Sequence, residues 1–526
     1  MYDNLPPEIW TNIISYTNEF NLLFTNSNFF SLFNLINTKI NIIEHVIKRE
    51  HLSVQKYIDQ LKKNCNEIVS KKFFNDLTLN ECLFISCKRG RNDFVKYFVS
   101  KGANIRSRDN FAIKLACEHG HIEVVKYLID NGVDIRSEKN YAVRIACNNG
   151  HIDIVKLLIS KGANIRDYDN CAIKWASENG HIEIVKILVS QGYDSTSNFN
   201  EPVILAVKNG HLEVVKYLVS QSGRCRNNSA IISAAENGHI EIVKFLASRG
   251  SNIRIDDDYT IRIASGNGHL EVVKFLVSKG CNIRSEIDHA VQWASTNGHL
   301  EVVEYLVSQG ADIKSEYDRS VRCASQNGHI EVVKYLVSQG ANIRNINDYA
   351  VRYASENGHI EVVEYLVSQG ANIRVDNDSP LLRACLKGHI KVVKFLVSSG
   401  ADIRVNNYQP LLIAAGNGHL EILKYLVSQG VNVSIINVPL VGIACIDGYG
   451  YFEIVKYLVS IGADINLADD MAIRLASEYG HLDIVKYLVE NGANVRAEND
   501  YAIKQAHRKG HQEVVNYLLS KGAILS

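Results

Sequence analysis

Along residues 327–344, "NGHIEVVKYLVSQGANIR", the apolar positions Val332, Val333, Leu336 and Val337 recur with the period of one helical face, and Gly340 closes the run where a left-handed cap residue is wanted. A shorter amphipathic run, "YAVRYASENG", follows at 349–358 behind Asp348, a candidate N-cap, with 342–347 as the intervening loop. The second run leads directly into a near-copy of the first, "NGHIEVVEYLVSQGANIR", at 357–374. Each unit therefore reads as helix, tight turn, helix, loop. The residue after the turn glycine is His121, His151, His181, His211, His239, His269, His299, His329, His359, His389 and His419, with spacings of 30 and one of 28. Arg91 precedes the series by one period, Tyr451 takes the slot after it, and His481 and His511 complete fifteen units. Two short helices cannot bury their apolar faces alone, so a fixed period of this size means stacked neighbours.

The chain of 526 residues is too long for one compact core, which the array resolves without separate globular domains. Lys plus Arg and Asp plus Glu both number 57, so no net charge draws it to nucleic acid or acidic membranes. The start, "MYDNLPPEIW", has no basic and apolar leader, and no stretch approaches the ~18 apolar residues of a membrane span, so a soluble, cytoplasmic protein is expected. Five of the eleven cysteines (Cys87, Cys117, Cys147, Cys385, Cys445) fall in one slot that elsewhere holds Ser177, Ser265 or Ala235. They read as small core fillers in a reducing compartment rather than disulfide partners or metal ligands.

The second-helix wording, G-H-[IL]-E-[VI]-V-K-x-L, resembles the ankyrin repeat over about residues 77–526. The family unit is about 33 residues; the missing three come from between "ANIR" and the first helix, where the family builds its β-hairpin finger. The family's Thr-Pro-Leu-His start is also replaced by forms such as "YAVR" and "FAIK". The 30-residue wording is similar to the large ankyrin families of giant DNA viruses. What the resemblance implies is an all-α solenoid with shortened hairpin loops, acting as a protein-binding scaffold whose first helices and loops line a concave side.

The histidine row raises the question of metal or catalysis. Equivalent side chains on adjacent layers stand about 8–10 Å apart, too far to share a zinc with bonds of roughly 2 Å. Each His is instead expected to bond exposed backbone where the second helix begins. Two basic rows are the sharper candidates. Arg284, Arg344 and Arg374 follow second helices, while Arg262, Arg322 and Arg352 lie on first helices. Arg383 and Lys387 join Lys391 and Lys394 in a local positive patch. These rows fit an acidic protein segment, or a nucleic-acid backbone. They also fit a self-neutralised surface, because Asp258, Asp318 and Asp348 each precede a first-helix Arg by four. No nucleophile–base set or phosphate loop recurs, so no enzyme activity, cofactor or metal is expected.

Residues 5–33, "LPPEIWTNIISYTNEFNLLFTNSNFFSLF", do not repeat. Their "LPPEI", following Ile pair and later Phe pair resemble an F-box, which implies docking on the adaptor subunit of a cullin-type ubiquitin ligase through Leu5, Pro6, Ile9 and Ile13. The family usually has Leu after the Ser-Tyr pair, where Thr17 stands here, and a helical cap for the first repeat is the other reading. The expected organisation is 1–35 F-box-like segment or cap, 36–76 helical connector with a degenerate repeat at His51, and 77–526 array. The expected function is a monomeric interaction scaffold with an unknown protein client, which the F-box resemblance extends to a substrate adaptor for such a ligase; the alternative is a nucleic-acid-binding solenoid.

Overall fold

The computed structural model describes residues 76–192, 200–222, 228–434, 439–446 and 451–525. The F-box-like segment with Leu5, Pro6, Ile9 and Ile13, the His51 motif, and residues 193–199, 223–227, 435–438 and 447–450 lie outside them. Among the described residues thirty helices alternate in pairs from Asp76–Lys88 to Gln512–Ser520, with no strand. The chain divides into two compact units, Met1–Asn252 and Ile253–Ser526.

Inside each unit the construction is the same. In the second unit, the second helix Ile330–Ser338 buries Val332, Val333 and Leu336. Such side chains contribute about 1.5–3 kcal/mol each by leaving water. The first helix of the next repeat, Asn345–Glu356, buries Ala350, Val351, Ala354 and Ser355 and packs on Ser315–Gln326 before it and Val375–Lys387 after it. Small residues let these first helices approach closely, which explains the Ser, Cys and Ala slot: Cys117, Cys147, Cys385 and Ser355 are all 0% exposed. Gly358 makes the tight turn with φ +79, and the His389 ring lies where its Cβ would be, 2.5 Å from Nδ1.

The loops depart from a simple link. Helix Asn345–Glu356 is broken at its start, where Ile346, Asn347 and Asp348 all take left-handed φ values of 54, 53 and 51. The same triple recurs from Arg108-Asp109-Asn110 to Glu498-Asn499-Asp500. It occupies the place from which the three hairpin residues were expected to be missing. A left-handed turn of L-residues costs roughly 1–2 kcal/mol per residue, so specific contacts must hold it.

Candidate functional site

Two sets of bonds hold the turns. The carboxylate of Asp348 reaches forward rather than capping its own helix, as its position had suggested: Oδ1 accepts the backbone N–H of Asn372, 24 residues on, at 2.8 Å. Asp288, Asp318 and Asp378 accept from Asp312, Asn342 and Asp402 at 2.8–2.9 Å. Asn140 does the same for Asn164. The second set comes from the first helix. Arg352 donates from Nε to the Asn347 carbonyl and from Nη2 to that of Ile346, both at 2.8 Å. Arg322 grips Tyr317 and Glu316 likewise, at 2.9 and 2.8 Å. Where Gln292 takes the slot, its Nε2 donates to the Ile287 carbonyl at 2.7 Å.

These contacts revise how the basic rows are neutralised. The aspartates pair backward with the loop arginines, Arg284 with Asp288 at 3.4 Å, Arg344 with Asp348 at 3.5 Å and Arg374 with Asp378 at 3.4 Å. They do not pair forward with the first-helix arginines, which are spent on turn carbonyls. The loop arginines keep 56–58% of their side chains exposed and face solvent as one row. Arg284 and Arg374 also reach Asp312 and Asp402 of the following loop at 3.4 Å.

The first-helix row is more enclosed. Arg262 donates to the Asp256 carbonyl at 2.7 Å, beneath the rings of Tyr259 and Trp293. Arg322 lies 5.0 Å from the centroid of Tyr349, and Arg352 is 12% exposed beside Asp376. Arg383 pairs with Glu356 and covers Tyr353, so the expected four-cation patch loses its arginine. Lys387, Lys391 and Lys394 remain exposed there. Those aromatic covers were missed in the sequence, although an aromatic directly after the turn aspartate, as in Tyr259, Tyr349 and Tyr501, was the available signal.

The histidines bond to the preceding repeat rather than to their own turn. His389 Nε2 donates to the Glu356 carbonyl at 2.8 Å and His329 to that of Thr296 at 2.9 Å, each 33 residues back. The acceptor lies at the C-terminal end of a first helix, whose last carbonyls lack helical donors. Burial holds His121, His299 and His359 below the ordinary histidine range, and the imidazoles on either side add to it. Among the described residues no cluster of His, Cys, Asp and Glu is disposed to hold a metal ion. Burial pushes the Cys82, Cys281 and Cys445 thiols up to about 12.

A family model for "Ankyrin repeats (3 copies)" matches the chain in overlapping stretches from residue 46 to 526. The chain belongs to the ankyrin-repeat family. Putative ankyrin repeat proteins of Acanthamoeba polyphaga mimivirus are similar to it: one is 45% identical over 115 residues, which is 22% of this chain and 54% of the relative, and another 45% identical over 113 residues, 22% and 24%. This chain thus spans about half the length of one and a quarter of the other. The crystal structure of the human ASB11 ankyrin repeat domain aligns with 39% of the chain and 99% of that domain, at 25% identity and a TM-score of 0.35.

Ankyrin repeats in general mediate protein–protein interaction and are typically non-enzymatic. On this ankyrin array the solvent positions of the turns vary while the bonds beneath them recur. Middle turn positions hold Asp109, Lys139, Asp257, Asn377 and Asp469, but also Ile287 and Tyr317, and Ile346 stands at the first position of its turn. These three apolar side chains are 59, 73 and 47% exposed. Sequence reasoning passed over them; for Ile287 and Tyr317 the signal was an apolar residue in a middle slot otherwise polar. No helix among the described residues is long and apolar enough to cross a membrane.

Proposed function

We propose that the protein is a scaffold that captures a client protein on the face made by its first helices and left-handed turns, acting as a monomer in the cytoplasm of a host cell. The observation that carries this reading is the contrast between frame and surface. The Asp-to-backbone and Arg-to-carbonyl bonds are repeated from unit to unit, whereas the exposed turn residues differ. Constant bonding under a changing surface is what a binding array requires, and stability alone would be served by one turn sequence copied throughout. Arg284, Arg344 and Arg374 offer guanidinium groups for acidic groups of the client, while Arg262, Arg322, Arg352 and Arg383 support the surface from beneath. The aspartate beside each loop arginine leaves the row with little net positive charge, which favours short-range contacts of the exposed guanidinium groups with a protein surface over the counterion release on which nucleic-acid binding depends.

The N-terminal segment extends the proposal: with Leu5, Pro6, Ile9 and Ile13 docked on the adaptor subunit of a cullin-type ligase, the array would present its client for ubiquitination. Both parts are tested by affinity capture from host-cell lysate with three full-length proteins, the natural chain, an Ile9→Asp/Ile13→Asp variant and an Arg284→Glu/Arg344→Glu/Arg374→Glu variant. The first variant should lose the ligase adaptor and keep the client, and the second should do the reverse. Adaptor recovery unaffected by the isoleucine changes would remove the ligase role. A client bound only at low salt and released by nuclease would favour the nucleic-acid reading.

A further inference from the structure

We propose that Ile287, Tyr317 and Ile346 form a docking ridge for an amphipathic, basic-ended segment of a partner, with apolar side chains about 10 Å apart and lysines or arginines at the end facing Asp256 and Asp257. The inference rests on the scaffold reading and adds the chemistry of one partner. These residues sit on three consecutive turns of the second unit, at φ 57, 56 and 54. Left-handed backbone is disfavoured for any side chain and most for β-branched isoleucine; the other middle positions use Asp, Asn and Lys, whereas the first position held by Ile346 is filled elsewhere by Glu, Arg, Asp and Asn and also by Tyr168 and Ala468. Their exposure means that packing does not repay that cost. The turn bonds hold the backbone whatever the side chain, so only the extra cost of an exposed apolar or β-branched residue there goes without a packing return, and a residue kept at such a cost is characteristic of sites that meet a ligand.

Spacing and charge define the occupant. Adjacent repeats stack about 8–10 Å apart, which is the step between the middle positions of Ile287 and Tyr317, and Ile346 stands one residue earlier in the next turn. A helix rising 1.5 Å per residue presents every seventh residue on one side at about 10.5 Å, which matches that step. Along the same strip Arg284 and Arg344 are paired with Asp288 and Asp348, Lys314 stands exposed in the same row between them, and Glu316 pairs with Arg319 at 2.7 Å. Asp256, Asp257 and Glu286 are exposed and make no ion pair among the described residues. The ridge is therefore apolar along its length and acidic at its Asp256 end.

The probes are fluorescein-labelled helical peptides of about 21 residues with leucine at every seventh position. One carries lysines at one end, one glutamates there, and one the lysines with serine in place of leucine. Anisotropy is read with the full chain, an Ile287→Asn/Tyr317→Asn/Ile346→Asn variant, and an Asp256→Lys/Asp257→Lys variant. The lysine–leucine peptide should bind the natural chain, and the triple variant should bind it at least tenfold more weakly with its melting temperature unchanged or raised. The charge variant should prefer the glutamate peptide. Equal binding by the triple variant, equal binding of lysine and glutamate peptides, or a lowered melting temperature of the triple variant overturns the proposal. So does a dimer of the free chain that the triple substitution dissolves, which would assign the ridge to a second copy. None of these results alters the client capture above, which reads different residues.

Discussion

Replacing Asp348 by alanine removes the acceptor of the Asn372 N–H, bonded at 2.8 Å, and the anion beside Arg344 at 3.5 Å. Asp348 is buried, at 4% exposure, so water does not take over the bond without opening the interface. A hydrogen bond to a charged group is worth about 1.5–3 kcal/mol, and the pair with the half-exposed Arg344 adds less than about 1 kcal/mol. The loss should therefore be about 2–3 kcal/mol, concentrated at one inter-repeat junction. Asparagine keeps a neutral acceptor, and Asn140 already serves Asn164 in this way at 2.8 Å, so Asp348→Asn should cost about 1 kcal/mol or less. A repeat array's stability is a sum of local and neighbour terms, which makes a single melting temperature a blunt measure. Native-state hydrogen–deuterium exchange at residues 370–374 is the direct one. A loss of about 2 kcal/mol should speed exchange there about 30-fold for Asp348→Ala, with a much smaller effect for Asp348→Asn. Identical exchange in the two variants would refute the forward bond as the element that joins the repeats.

Three further outcomes follow from the same geometry. His121, His299 and His359 have lowered folded-state affinities for protons, so the unfolded chain binds protons first on acidification; stability should be full above about pH 6.5 and fall as pH drops below it. Melting curves from pH 8 to 5 check this, and a flat profile would contradict it; the Asp500 carboxyl, held low chiefly by the Ile524 N–H, loses its contribution only at more acid pH. Gly358→Ala should destabilise more than Gly370→Ala in urea titrations, since both glycines have positive φ but only the first Cβ would meet a ring, His389, while the second opens on space; equal effects would mean that the imidazole yields freely. Among the described cysteines, Cys171 and Cys323 should be alkylated by iodoacetamide at pH 8 well before Cys82, Cys281 and Cys445, whose burial raises the thiol pKa, as peptide mass spectrometry would read out.

The sequence by itself determined what repeats within one unit. Val332, Val333 and Leu336 announce a helix because their spacing is that of a helical face, Gly340 and Gly358 mark its neighbouring turns because other residues resist positive φ, and the Ser–Cys–Ala slot announces close helix packing because only small volumes recur in it. The partners of the polar rows were not legible, for a reason inherent in periodicity. A residue found once in every 30 has candidate partners at the same offsets in its own repeat and in both neighbours, and the chain does not say which copy is nearest. Stacking decides it: Asp348 goes to Asn372 and not to its own helix, Arg352 to the Ile346 and Asn347 carbonyls and not to Asp348, and His389 to Glu356 in the repeat before. The left-handed triple was hidden likewise, because its cost is local whereas the bonds that repay it come from the following helix and the following repeat. Only the tertiary structure brings those donors and acceptors within reach, and with them the exposed edge on which Ile287, Tyr317 and Ile346 stand.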